Sequence, residues 1–238
     1  MKEVPHRKDF IHHQESKFSK GIREIVFGAE DGMVSTLGAL TGIAIGTSDY
    51  FTIILAGLVI VAVESTGMSV GSFLSNKSVK EVNQRKLDEE REEIKKFPAE
   101  EKRELVGLFK IDGWPDELAN QMAEAASQDS ELMLKEMAYR ELNITPDKQD
   151  NPLTNTLFMF FSYVFGGMIP VLPYFFMPIS SALIVSIIIT MAGLFGLGVL
   201  ITKFTKRNWV KAGLEMLVLA GIAASIGYVI GRIAELFI

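Results

Sequence analysis

Residues 50–97 read YFTIILAGLVIVAVESTGMSVGSFLSNKSVKEVNQRKLDEEREEIKKF. The first half, residues 50–76, holds a single charge, Glu64, and the second half is densely charged. At about 1.5 Å rise per residue, an apolar run of this length crosses about 30 Å of bilayer hydrocarbon. No breaker interrupts the charged half before Pro98, so the helix is predicted to run straight on out of the membrane. A stretch built this way indicates a membrane-spanning helix that leads into a polar helical domain.

Outward from it the pattern repeats. Apolar blocks occupy residues 22–46, 152–176, 179–201 and 212–233. The predicted class is therefore all-α: a polytopic membrane protein with five transmembrane helices and a cytoplasmic helical domain. The boundaries are a polar tail at 1–20, helices one and two at 21–76, an acidic insert at 77–150, and helices three to five at 151–238. Mean hydropathy is only +0.25, because the insert, with 13 Lys/Arg and 19 Asp/Glu, offsets the apolar blocks. The first twenty residues have no apolar run and no small-residue cleavage site, so they read as a cytoplasmic tail. They carry His6, His12 and His13, to which no specific role is given.

Orientation follows from basic residues. Six Lys/Arg lie up to Arg23, and four with no acid lie in residues 203–211. The connections near Asp49 and at 174–179 have none. The positive-inside rule then puts the tail, the insert and the 203–211 loop in the cytoplasm and the carboxyl end outside. A compact chain of this kind suits a prokaryotic plasma membrane.

Composition also excludes chemistry. There is no cysteine, which rules out disulfides, zinc–thiolate sites and iron–sulfur clusters. There is no phosphate-binding loop of the GxxxxGK[ST] type, so ATP-driven pumping by this chain is not expected. Nothing points to an enzyme, a prosthetic group or a nucleic-acid partner. What remains unusual is acid in apolar helices. Glu30 and Asp31 stand together in GIREIVFGAEDGMVSTLGALTGIAIG, residues 21–46, and Glu64 stands mid-block in the second helix. Ionisable groups there are costly and mark ion pathways. Met68 lies four residues beyond Glu64 on the same face. A carboxylate with a thioether suits a transition metal better than a hard cation. In the insert, Glu90 and Glu93 are three apart, as are Glu101 and Glu104, while Met137 and Glu141 are four apart. Each pair lies on one side of its helix. Brought together they form a carboxylate-rich metal site; kept apart they are a solvated, salt-bridged surface. The glycines at 28 and 32, and at 38, 42 and 46, allow close helix approach, within the chain or across a dimer seam.

Five stretches together carry a resemblance: REIVFGAEDGMVSTLGAL, GMSVGSFLSNKS, EEREEIKKFP, NPLTNTLFMFFSYVFGGMIPVLPYFF and GLEMLVLAGIAASIGYVIGRI. The sequence is similar to the vacuolar iron transporter family. That resemblance implies a five-span homodimer whose central pathway is lined by the first two helices. It implies transport of Fe2+, and often Mn2+, out of the cytosol in exchange for protons. It assigns Asp31 and Met68 to the pathway, and Glu90, Glu93, Glu101, Glu104, Glu141 and Met137 to the insert's metal site. Two positions depart from the family pattern. Ala138 replaces a second methionine, and Ile60 stands where a pathway glutamate is expected, with Glu64 one turn later on the same face. The same oxygen and sulfur ligands accept Co2+ and Zn2+. The alternatives are a membrane-anchored metal-sequestration module and a passive divalent cation channel.

Overall fold

The computed structural model describes residues 21–145 and 151–235. The histidine-bearing tail lies outside the described residues. The helices in order are α1 (Ile22–Gly46), α2 (Tyr50–Lys96), α3 (Pro98–Ile111), α4 (Asp116–Ser127), α5 (Ser130–Arg140), α6 (Pro152–Val171), α7 (Ile179–Thr205) and α8 (Trp209–Glu235). A short 3-10 turn, Leu172–Phe175, follows α6. The chain divides into two compact units, Met1–Ser72 with Leu153–Ile238 and Phe73–Pro152.

Four helices among the described residues are long and apolar enough to cross a membrane: α2, α6 with its 3-10 turn, α7 and α8. The first of the five predicted spans, α1, is 25 residues long but is not among them. Arg23, Glu24, Glu30 and Asp31 dilute its hydropathy. It is nonetheless packed inside the apolar unit, along α8 and against α7.

Glycine sets that packing. A Cβ at Gly42 would come within 2.8 Å of the Gly227 carbonyl, and one at Gly227 within 1.9 Å of the Gly38 carbonyl. The α1 and α8 backbones therefore touch, with no side chain between them. The same holds between α1 and α6, where a Cβ at Gly32 would lie 2.5 Å from the Tyr163 carbonyl. Of the two roles left open for these glycines, they serve packing within the chain. Gly227→Val is expected to force α1 from α8, cost about 1–3 kcal/mol and lower the thermal midpoint in detergent by about 5 °C. Gly221→Ala, with nothing within 4 Å of its added Cβ, is the neutral control.

The second unit is a helical bundle around its own core. Leu87 and Ile94 of α2 meet Leu105 and Phe109 of α3, three alanines of α4, and Met133, Leu134, Met137 and Ala138 of α5. These positions recur at helical spacing, so one face of each helix is apolar. Pro98 sits at the first turn of α3, where its missing N–H costs no hydrogen bond. The α3–α4 turn uses Gly113 at φ +94°, a left-handed conformation that a side chain disfavours. Asp129 caps α5 by accepting from the Glu131 and Leu132 backbone N–H groups at 3.0 and 3.3 Å. Arg140 stacks over Phe109 at 4.3 Å and pairs with Asp112 at 3.0 Å, which ties the end of α5 to the end of α3.

Candidate functional site

The charged half of α2 begins at Lys77, beyond the roughly 20 residues that hydrocarbon demands of a helix. Its acids fall into two groups. Glu81, Asp88, Glu89 and Glu92 pair with Lys77, Arg91, Arg85 and Lys96 along the helix. Elsewhere in the unit Glu100, Glu124, Glu131, Glu136, Asp112 and Asp116 also have Lys or Arg partners. These acids form the salt-bridged surface that the sequence allowed.

Glu90, Glu93, Glu101, Glu104 and Glu141 behave differently. They take part in no ion pair with Lys or Arg among the described residues, and they act electrostatically on one another. Glu90 and Glu101 are buried, whereas Glu93, Glu104 and Glu141 are exposed. Burial pushes the Glu90 carboxyl up to about 8, reinforced by the charges of Glu141, Glu101 and Glu93. Glu101 and Glu141 are raised as well, first by burial and then by Glu104. Glu90 Oε1 is buried and has no hydrogen-bond partner. An orphaned, buried carboxylate oxygen amid acids suits a cation.

No trio of His, Cys, Asp or Glu among the described residues is drawn close enough to hold an ion as it stands. Like charges without a counterion separate or take up protons, so the glutamates converge here without closing into a coordination shell. The buried position of Glu90 has a signal in the sequence. It stands three residues after Leu87 and four before Ile94, on the core face, and Glu101 stands one turn before Leu105. Met137 is fully buried in the apolar core, beside the equally buried Ala138.

In the first unit, Asp31 and Glu30 part company. Glu30 lines a crevice with Ile22, Arg23, Val26 and Phe27 of α1 and Ile201, Phe204 and Thr205 of α7. Asp31, half-buried, feels the charge of Glu64 on α2. Glu64 accepts a hydrogen bond from the Tyr163 hydroxyl of α6. That hydroxyl also lies 2.6 Å from Ser35 Oγ of α1, which bonds the Asp31 backbone carbonyl at 2.7 Å. Met68 is half-buried one turn beyond Glu64. Sequence reading named both acids and Met68 but not Tyr163 and Ser35, because nothing in their spacing links positions 35, 64 and 163.

Several apolar helices, an acidic pair held between them and a glutamate-rich bundle define a polytopic membrane protein with two groups of cation-suited carboxylates. The chain belongs to the VIT family, whose profile matches residues 22–232. Among similar proteins is Vacuolar iron transporter 1 of Tulipa gesneriana, 25% identical over 226 residues, covering 94% of this chain and 92% of the relative. The Vacuolar iron transporter of Centaurea cyanus is 28% identical over 225 residues, covering 91% and 89%. That of Plasmodium falciparum is 22% identical, covering 90% and 82%. These relatives are named for the vacuole, a different membrane from the prokaryotic plasma membrane expected from the sequence.

Proposed function

We propose that the chain is a divalent transition-metal transporter that moves Fe2+, and Mn2+ as a second cargo, out of the cytosol in exchange for protons. The observation that carries this reading is the set of five glutamates without a Lys or Arg partner among the described residues, with an unpartnered buried oxygen on Glu90. The names of the relatives supply the metal and the activity, which is transport and not an enzymatic reaction. Glu90, Glu93, Glu101, Glu104 and Glu141 take cargo from the cytosol. Asp31, Glu64 and Met68 line the path across the membrane. The working unit is a homodimer of five-span subunits, with α1 as the fifth span. The amino terminus and residues 77–150 face the cytosol and the carboxyl end faces away.

A carboxylate that gives up a metal for a proton makes antiport natural. The test is Fe2+ uptake into sealed, anaerobic proteoliposomes with the pH gradient on and off. Antiport predicts uphill accumulation that collapses when the gradient is dissipated. Downhill flux indifferent to the gradient identifies a channel, and binding with no flux identifies a sequestration module; either result overturns the reading.

A further inference from the structure

Glu64 is a singular residue in the apolar unit: a carboxylate in the middle of an apolar block, one turn from where the family resemblance expects one. Its neighbours indicate what holds it there. Tyr163 is fully buried, yet its hydroxyl reaches groups on two other helices. It donates to Glu64 Oε2 of α2 and lies 2.6 Å from Ser35 Oγ of α1. Ser35 in turn donates to the backbone carbonyl of Asp31 at 2.7 Å. The reach depends on backbone contact between α1 and α6: added Cβ atoms at Gly28 and Gly32 would stand 2.8 and 2.5 Å from the carbonyls of Met159 and Tyr163. Any side chain larger than hydrogen at those positions would push α6 back from α1 and withdraw the phenol from Ser35. A buried tyrosine hydroxyl normally finds one partner. Here it joins the side chain of one acid to the helical turn that bears the other.

We propose that Tyr163 is a positioning residue for the metal path: its hydroxyl holds Glu64 toward Asp31 and, through Ser35, fixes the separation of the two acids. It touches no cargo itself. The proposal rests on the transport reading and adds which residue makes Asp31 and Glu64 act as one site for a divalent cation. A carboxylate held in place binds the ion without first losing side-chain freedom, so the benefit falls on cargo affinity.

The test uses the full chain in proteoliposomes, with anaerobic Fe2+ as the probe and a thermal midpoint in detergent for each variant. Tyr163→Phe removes one oxygen and keeps the ring. It is expected to raise KM for Fe2+ about tenfold, the scale of one hydrogen bond to a charged group, with the maximal rate within about twofold. In a Glu64→Gln background the same change should add less than about twofold, because there is no longer a carboxylate to hold. An unchanged KM in Tyr163→Phe, or a full tenfold rise in the Glu64→Gln background, overturns the proposal. If Tyr163→Phe does not fold, Ser35→Ala carries the test, with a KM rise of about threefold that vanishes in the same background; a rise that persists there overturns it too. An unaltered chain that moves no Fe2+ overturns the transport reading and this proposal with it. Flux with an unmoved KM in Tyr163→Phe overturns the positioning role alone.

Discussion

Asp31→Ala is expected to reduce Fe2+ flux in proteoliposomes at least about 100-fold, with the protein still folded and monodisperse. Asp31 lies in a helix whose next 14 residues, 32–45, carry no charge. An ion entering there leaves most of its hydration behind, and only acids can compensate it. Asp31 feels the charge of Glu64, so its loss leaves one carboxylate where two share the load. Truncating one partner of a buried charged contact costs about 3–5 kcal/mol, which corresponds to about two to three and a half orders of magnitude. Glu30→Ala is the control. Glu30 turns to the crevice shared with Arg23 and α7, and its removal should change flux by less than about threefold. Equal losses from both substitutions would mean that the acids act as general surface charge, and unchanged flux in Asp31→Ala would remove it from the path.

Much of the layout was written in local pattern. The bounds 22–46 of the first apolar block coincide with α1, and α2 runs unbroken from the membrane block to Lys96, where Pro98 starts the next helix. The prolines at 170 and 173 end α6 in a 3-10 turn. These features depend on residues near one another in the chain. Pair choices between distant helices were not legible. The glycines of α1 could have faced a second subunit, yet they meet α6 and α8, because partner choice depends on how helices 130 to 190 residues apart assemble. Tyr163 was invisible for the same reason. In the insert the acids were legible as pairs, but their division was not. Among the described residues ten find basic partners, and five instead act electrostatically on one another, a distinction that required the helices to be placed. The core face from Leu87 to Ile94 already marked Glu90 as buried, a reading the charge count alone concealed.

The glutamate cluster should couple metal, protons and stability in opposite directions. Glu90 binds its proton more tightly in the folded protein than in the unfolded chain, with the folded value pushed up to about 8. The folded state therefore carries more protons than the unfolded state between about pH 4.5 and 8, and stability must fall as pH rises through that window. Ionising the buried carboxyl costs at most about 5 kcal/mol once pH exceeds 8. A bound divalent ion supplies the missing counter-charge. Metal binding should then tighten from pH 6 to pH 8 with release of protons, and saturating metal should restore the thermal midpoint lost on alkalinisation. Glu90→Gln separates the two roles. It keeps the shape and removes the ionisation, so the metal-free protein should be more stable than the unaltered chain at pH 8 and equally stable near pH 5. The same substitution should weaken metal binding and flatten its pH dependence. Replacing Glu90, Glu93, Glu101 and Glu104 together by Gln should weaken binding by more than about 100-fold, since even residues one shell out from a metal cost 10- to 100-fold. Calorimetric titration of the full chain in detergent, in an Asp31→Ala background, confines the heat to this unit. A salt-bridged surface with no metal role predicts the reverse: no gain in stability from Glu90→Gln at pH 8 and an unchanged titration in the fourfold variant. That joint outcome would sink the capture role, because a buried acid without a counterion is tolerated in a fold only where something other than stability requires it.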